Sequence, residues 1–91
     1  MKNALNNRVV VVTGASSGIG EAMAREYAKM GAKVVMGARR EEELRRIASE
    51  IEAEGGKVAY AACDVVNEED CKHLIDTAIE AFGGIDIMIC N

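Results

Sequence analysis

Four consecutive valines, Val9 to Val12, run into the glycine-rich turn Thr13-Gly14-Ala15-Ser16-Ser17-Gly18-Ile19-Gly20, and that turn runs into a segment with helical apolar spacing. This succession constrains the chain more than any other feature. A continuous β-branched run belongs to a strand covered on both faces, so Arg8 to Thr13 is expected as an inner strand of a sheet flanked by helices. Glycines let the backbone turn tightly and let the following helix lie close to the strand. The helix start offers unpaired N–H groups and a positive dipole end, a seat for phosphate, and Ser16 and Ser17 add hydroxyl donors nearby. A tight turn capped by serine fits the same residues without any ligand. A Walker-type phosphate loop does not fit, because Glu21-Ala22 follows Gly20 where that loop requires Lys-Ser or Lys-Thr.

The strand-to-helix alternation repeats along the chain. Ile19 to Met30 places Ile19, Met23 and Tyr27 on one stripe, with Ala22 and Ala28 beside them, and Gly31 stops the helix. Lys33 to Gly37 reads as a second strand. From Glu41 to Glu54, Leu44, Ile47, Ala48 and Ile51 recur at helical spacing under a charged outer face, and Gly55-Gly56 ends the run. Lys57 to Cys63 is a third strand. Asn67 is an N-cap, followed by Glu68, Glu69 and Asp70 where carboxylates oppose the helix dipole. Cys71, Leu74, Ile75, Ala78 and Phe82 form that helix's buried stripe, closed by Gly83-Gly84, and Asp86 to Asn91 begins a fourth strand. The order β-α-β-α-β-α-β with short connections implies an α/β fold of three layers, α/β/α, around a parallel sheet with right-handed crossovers. Rossmann-like and flavodoxin-like sheets both fit that order, so it gives the class and not the function.

Composition removes several alternatives. With 91 residues there is room for one domain. A net charge of −4 argues against a nucleic-acid surface, which needs clustered Lys and Arg. No apolar run reaches membrane-spanning length, and Met1 to Arg8 is polar rather than a leader, so a cytoplasmic protein without membrane contact is expected. Cys63, Cys71 and Cys90 include no CxxC pair, which indicates neither a zinc site nor a disulfide framework; each is expected to behave as a small buried hydrophobe. The one histidine, His73, sits in a charged helical stretch and offers those thiols no base.

TGASSGIG, with glycines at 14, 18 and 20, resembles the TGxxxGxG signature of the short-chain dehydrogenase/reductase family. Cys63-Asp64-Val65 resembles the family's Asp-Val after the third strand, and Asp86-Ile87-Met88-Ile89-Cys90-Asn91 resembles the opening of its D-I-L-V-N-N-A-G segment. The resemblance implies that residues 1–91 form the N-terminal part of a single NAD(P)-binding Rossmann domain. It further implies an oxidoreductase passing hydride between a nicotinamide cofactor and an alcohol or carbonyl substrate. Gly14, Ser16, Ser17, Gly18, Ile19 and Gly20 would then face the pyrophosphate. Asp64 would contact the adenine amino group, Val65 would line the adenine pocket, and Asn91 would mainly brace the sheet. Cys90 replaces the first Asn of the family's pair, whose cofactor contact runs through backbone.

The end of the second strand selects between NAD and NADP. A carboxylate there binds the ribose 2′-hydroxyl and repels a 2′-phosphate, whereas an arginine accommodates the phosphate. This chain has Gly37-Ala38-Arg39-Arg40, with Ala38 where NAD-preferring relatives carry Asp. Arg39 is therefore expected to hold the 2′-phosphate and Arg40 to assist, giving NADP(H) in preference to NAD(H). Two solvated arginines before an acidic helix are the plainer alternative.

The family's catalytic residues fall outside this stretch. Neither Tyr27 nor Tyr60 has a lysine four residues later, so the Tyr-x-x-x-Lys pair of the relatives is absent from residues 1–91. The chain is thus expected to hold the cofactor side alone, as a piece of a longer oxidoreductase that does not itself turn over. A non-catalytic nucleotide-binding module complete at 91 residues is the competing expectation. The resemblance also implies a strand order that puts the fourth strand at a sheet edge, and self-association through that edge or the sheet face is expected.

Overall fold

A computed structural model describes residues 5–16 and 18–91; Met1 to Ala4, within the polar start, and Ser17, expected at the phosphate turn, lie outside them. The elements are β1 (Val9–Thr13), α1 (Gly18–Lys29), β2 (Lys33–Ala38), α2 (Glu41–Ala53), β3 (Lys57–Ala62), α3 (Glu68–Phe82) and β4 (Ile87–Ile89). All four strands are parallel, in the order β3-β2-β1-β4. β4 pairs with β1 through Val10–Ile87, Val11–Met88 and Val12–Ile89, and it lies at the edge of the sheet.

The valine run earns its position. Val10, Val11 and Val12 of β1 and Val34 and Val35 of β2 are fully buried, each contributing about 1.5–3 kcal/mol relative to an exposed side chain. Strand alternation divides them between two cores. Val10, Val12, Val34 and Met36 pack under α1 and α2 against Ala24, Leu44 and Ile47. Val9, Val11 and Val35 face α3 through Leu74 and Ala78. The sheet therefore separates two helices on one side from one on the other.

Asp86 fastens β4 to the start of β1. Its Oδ2 accepts from the Val9 N–H at 2.8 Å, and its own N–H donates to the Val9 carbonyl at 2.9 Å. Asn67 caps α3, its side-chain oxygen accepting from the Asp70 N–H at 3.1 Å, and Gly83 ends that helix in the left-handed conformation at φ 85°. α2 lacks such a cap: Arg40 holds the N-cap position without a side-chain bond.

Three expectations are corrected by packing. In α1 the buried residues are Gly20 and Ala24, with Met23, Tyr27 and Ala28 partly covered, while Ile19 is 71% exposed and Ala22 is also exposed. The close seat of the helix on the sheet at Gly20 turns a small-residue face inward and leaves Ile19 at the helix start, clear of the core. Among the cysteines only Cys63 is buried; Cys71 is half-buried on α3 and Cys90 is exposed beyond the short β4. Boundaries also shift by one or two residues, β4 ending at Ile89 rather than Asn91. β2 runs on to Ala38 because the Ala38 carbonyl still accepts from the Cys63 N–H at 2.7 Å.

Candidate functional site

Because every strand is parallel, the ends of β1, β2 and β3 open on the same edge of the sheet, where the chain turns into α1, α2 and α3. Two backbone bonds draw those turns together. The Ala15 N–H donates to the Gly37 carbonyl at 3.1 Å, and the Cys63 N–H reaches Ala38 as above. The space between them is a cavity of about 910 Å³, the upper end of what small-ligand sites enclose.

Gly14 and Ser16 line one wall, Arg39 and Arg40 another, and Asp64 and Val65 a third. Asn91 completes the boundary. Residues separated by up to 77 positions are thereby brought to one edge. Gly18, Ile19 and Gly20 do not line the cavity but form the first turn of α1 beside it.

The two helix glycines have different reasons to be glycine. A Cβ at Gly20 would collide with the Gly14 carbonyl and lie 2.8 Å from Nδ2 of Asn91, so the helix seats on the turn only without one. A Cβ at Gly18 would meet nothing within 4 Å, and there the demand is the backbone itself, at φ 57°. The open space beside Gly18 leaves the start of α1 approachable.

Asn91 holds the turn from the far side. Its N–H donates to the Thr13 hydroxyl at 3.1 Å and its Nδ2 to the Gly14 carbonyl at 3.3 Å. The Thr13 hydroxyl in turn donates to the Ile89 carbonyl at 3.4 Å. Asn91 thus ties the β4 end to the glycine turn.

Asp64 uses Oδ1 to accept from the Val66 N–H at 3.2 Å, and its own N–H donates to Asp70 Oδ2 at 3.0 Å. These bonds fix the loop between β3 and α3, with Val65 and Val66 exposed at its crest. Behind them, burial pushes the Cys63 thiol up to about 11, with the neighbouring Cys71 adding to the shift. Cys63 therefore stays a protonated thiol near neutral pH and is a poor nucleophile.

Charge at the second wall is distributed unevenly. Among the described residues, Arg39 and Arg40 form no ion pair, and both are exposed at the cavity. Glu43, one turn further along α2, also lines the cavity, but its carboxylate accepts from Arg46 at 2.8 Å. Glu43 and Val66 were not singled out from the sequence, which reads Cys63 as a small buried hydrophobe rather than a site residue. Glu43 was legible in principle, as a first-turn residue of a helix beginning at the same edge.

The arrangement suits a dinucleotide in three respects: a cavity of adequate size, a glycine turn leading into a helix start, and guanidinium groups that form no ion pair among the described residues. A family model described as short chain dehydrogenase matches residues 8–91. The chain belongs to that family. An uncharacterised oxidoreductase of Listeria innocua is 46% identical over 87 residues, covering 96% of this chain and 35% of that protein. Among solved structures, an alcohol dehydrogenase from the archaeon Thermococcus sibiricus, complexed with 5-hydroxy-NADP, is 40% identical. It matches with a TM-score of 0.85 over 89% of this chain and 35% of its own. An actinorhodin polyketide ketoreductase with NADPH is 36% identical, with a TM-score of 0.87 over 92% of this chain and 32% of its own.

The chain thus spans about a third of the length of the relatives it matches. It is the nucleotide-binding Rossmann portion of a short-chain dehydrogenase fold. Among the described residues no helix is long and apolar enough to cross a membrane.

Proposed function

We propose that the cavity at the sheet edge binds NADP(H) in preference to NAD(H), as the cofactor half of an oxidoreductase acting on an alcohol or carbonyl. The observation that carries this reading is the β2 end. Ala38 is buried and uncharged, and Arg39 and Arg40 follow it with guanidinium groups that no described carboxylate engages. A planar guanidinium forms two parallel charge-assisted bonds to a phosphate, so Arg39 would hold the 2′-phosphate while Arg40 adds positive field or covers the adenine.

The other walls take the rest of the ligand. The turn from Gly14 to Ser16 and the open α1 start at Gly18 would receive the pyrophosphate. Asp64 has one carboxylate oxygen committed to the loop and a second left to accept from the adenine amino group. Val65 supplies an apolar surface for the ring. When bound, the nicotinamide supplies or accepts a hydride at its own ring. Residues 1–91 lack the Tyr-x-x-x-Lys pair, so we assign them binding and orientation, with no proton transfer. A cytoplasmic location and self-association through the exposed residues of β4 belong to the same reading.

Calorimetric titration with NADP(H) and NAD(H) tests it. Tighter binding of NADP(H) is expected, with most of the difference lost in Arg39→Ala. Equal affinities, or a preference that survives Arg39→Ala, would refute the cofactor assignment.

A further inference from the structure

Glu43 presents a problem for any anion held by Arg39 and Arg40. It lines the same cavity, and a free carboxylate there would repel a phosphate or compete with it for the two guanidinium groups. The structure deals with this charge from outside the cavity. Arg46, which does not line it, donates through Nη2 to Glu43 Oε1 at 2.8 Å. The same guanidinium lies 3.8 Å from Glu21 Oε1 on α1 and 3.5 Å from Glu50 Oε2 on α2. Arg25 also pairs with Glu21 at 2.9 Å and with Glu50, so that two guanidinium groups are shared among three carboxylates. Glu21 and Glu50 therefore each share two arginines, whereas Glu43 has Arg46 as its one partner among the described ion pairs. Glu43 is also the leading cause of the upward shift of the Arg46 guanidinium.

We propose that Arg46 is a positioning residue for cofactor selectivity: by holding the Glu43 carboxylate, it keeps that charge from opposing the 2′-phosphate at the Arg39–Arg40 wall. The inference rests on the reading that the site takes NADP(H). Removing Arg46 frees Glu43 to turn toward Arg39 and Arg40, which weakens only ligands that carry the 2′-phosphate. The pair is half-exposed, its side chains being 46% and 41% accessible, so the effect is severalfold rather than orders of magnitude.

The test compares 2′,5′-ADP with 5′-AMP, two ligands that differ in the phosphate at issue. Binding is measured on the complete natural chain and on its Arg46→Ala, Glu43→Gln and doubly substituted forms, at low and high salt. Because both ligands report on one protein sample, any loss of folded fraction cancels in the ratio of affinities. At low salt Arg46→Ala should lower the preference for 2′,5′-ADP by about 2- to 5-fold, and high salt should shrink that change. In the Glu43→Gln background the same substitution should leave the ratio within experimental error. Equal weakening of both ligands, or the same change with and without the Glu43 carboxylate, would overturn the proposal. If the unsubstituted chain shows no preference for 2′,5′-ADP, or keeps it in Arg39→Ala, the NADP(H) reading fails and this inference falls with it. A preference that depends on Arg39 but ignores Arg46 removes this inference alone.

Discussion

The carbonyl of Gly14 lies where a Cβ on Gly20 would have to go, so the glycine turn and the first turn of α1 are in backbone contact. This contact sets the height of the helix over the sheet, and Asn91 grips the same carbonyl from the β4 side. Gly20→Ala should therefore force the helix outward and cost about 1–3 kcal/mol, the usual range for overpacking a site that cannot relax. Gly18→Ala meets no neighbour and carries only the left-handed backbone penalty, about 1–2 kcal/mol. Denaturant melts separate the two. Gly20→Ala should be the more destabilising, and Gly20→Val should worsen it further, while Gly18→Val should add little to Gly18→Ala beyond its β-branched strain. Equal costs at the two positions would mean that the close approach at Gly20 is not what holds α1 in place.

Most of this architecture was legible because it depends on local pattern. The valine run, the stripe Leu44-Ile47-Ala48-Ile51 and the Asn67 cap each follow from periodicity or from one hydrogen bond, and each appears where the sequence placed it. The α1 stripe was misread for a physical reason. Apolar spacing suggested Ile19, but the face that packs is chosen by the close approach at Gly20, and backbone contact leaves no apolar signal. Cys90 was expected inside and lies outside, since burial there depends on what covers the end of β4. At the cavity, the sequence points to lining residues such as Gly14, Arg39 and Asp64, but not to the capture of Glu43 by Arg46. That pair depends on rotamers and on charge shared between two helices, which one-dimensional spacing does not encode.

Cys63 makes the fold's stability sensitive to alkali. Its thiol is held up at about 11 by burial and by Cys71, above the ordinary cysteine value near 9 that the unfolded chain shows. Because the folded value is raised, the protonated thiol's contribution is complete below pH 9 and is lost as pH rises through 11. The loss amounts to about 1–3 kcal/mol for a buried thiol with a shift of this size. Thermal melts between pH 8 and 11 should show a decline that is much flatter in Cys63→Ala, after allowing for that variant's lower starting stability. Under native conditions near neutral pH, alkylation of Cys63 should also lag well behind that of the half-buried Cys71. A Cys63 that labels as fast as Cys71 would contradict the burial that raises it.

The proposed cofactor selectivity should shift on a change at a single methyl group. Ala38 ends β2 at 6% exposure, beside the arginines at the cavity and against the core under α1 and α2. Ala38→Asp would place a carboxylate at the position that contacts the ribose 2′-hydroxyl in NAD-binding relatives of this fold, and it would oppose a 2′-phosphate. The carboxylate's desolvation would be offset by Arg39 and Arg40 nearby, at the expense of the phosphate contact proposed for them. A shift of at least about tenfold in the ratio of NAD(H) to NADP(H) affinity is expected, equivalent to about 1.4 kcal/mol. Ala38→Asn separates charge from shape: it keeps the size and hydrogen-bonding reach without the charge, and should weaken NADP(H) far less. If Asp and Asn change the ratio equally, the β2 end discriminates by space and the electrostatic account of the site is wrong. If neither changes it, the 2′-phosphate does not lie against this strand end, and Arg39 and Arg40 revert to two solvated cations preceding an acidic helix.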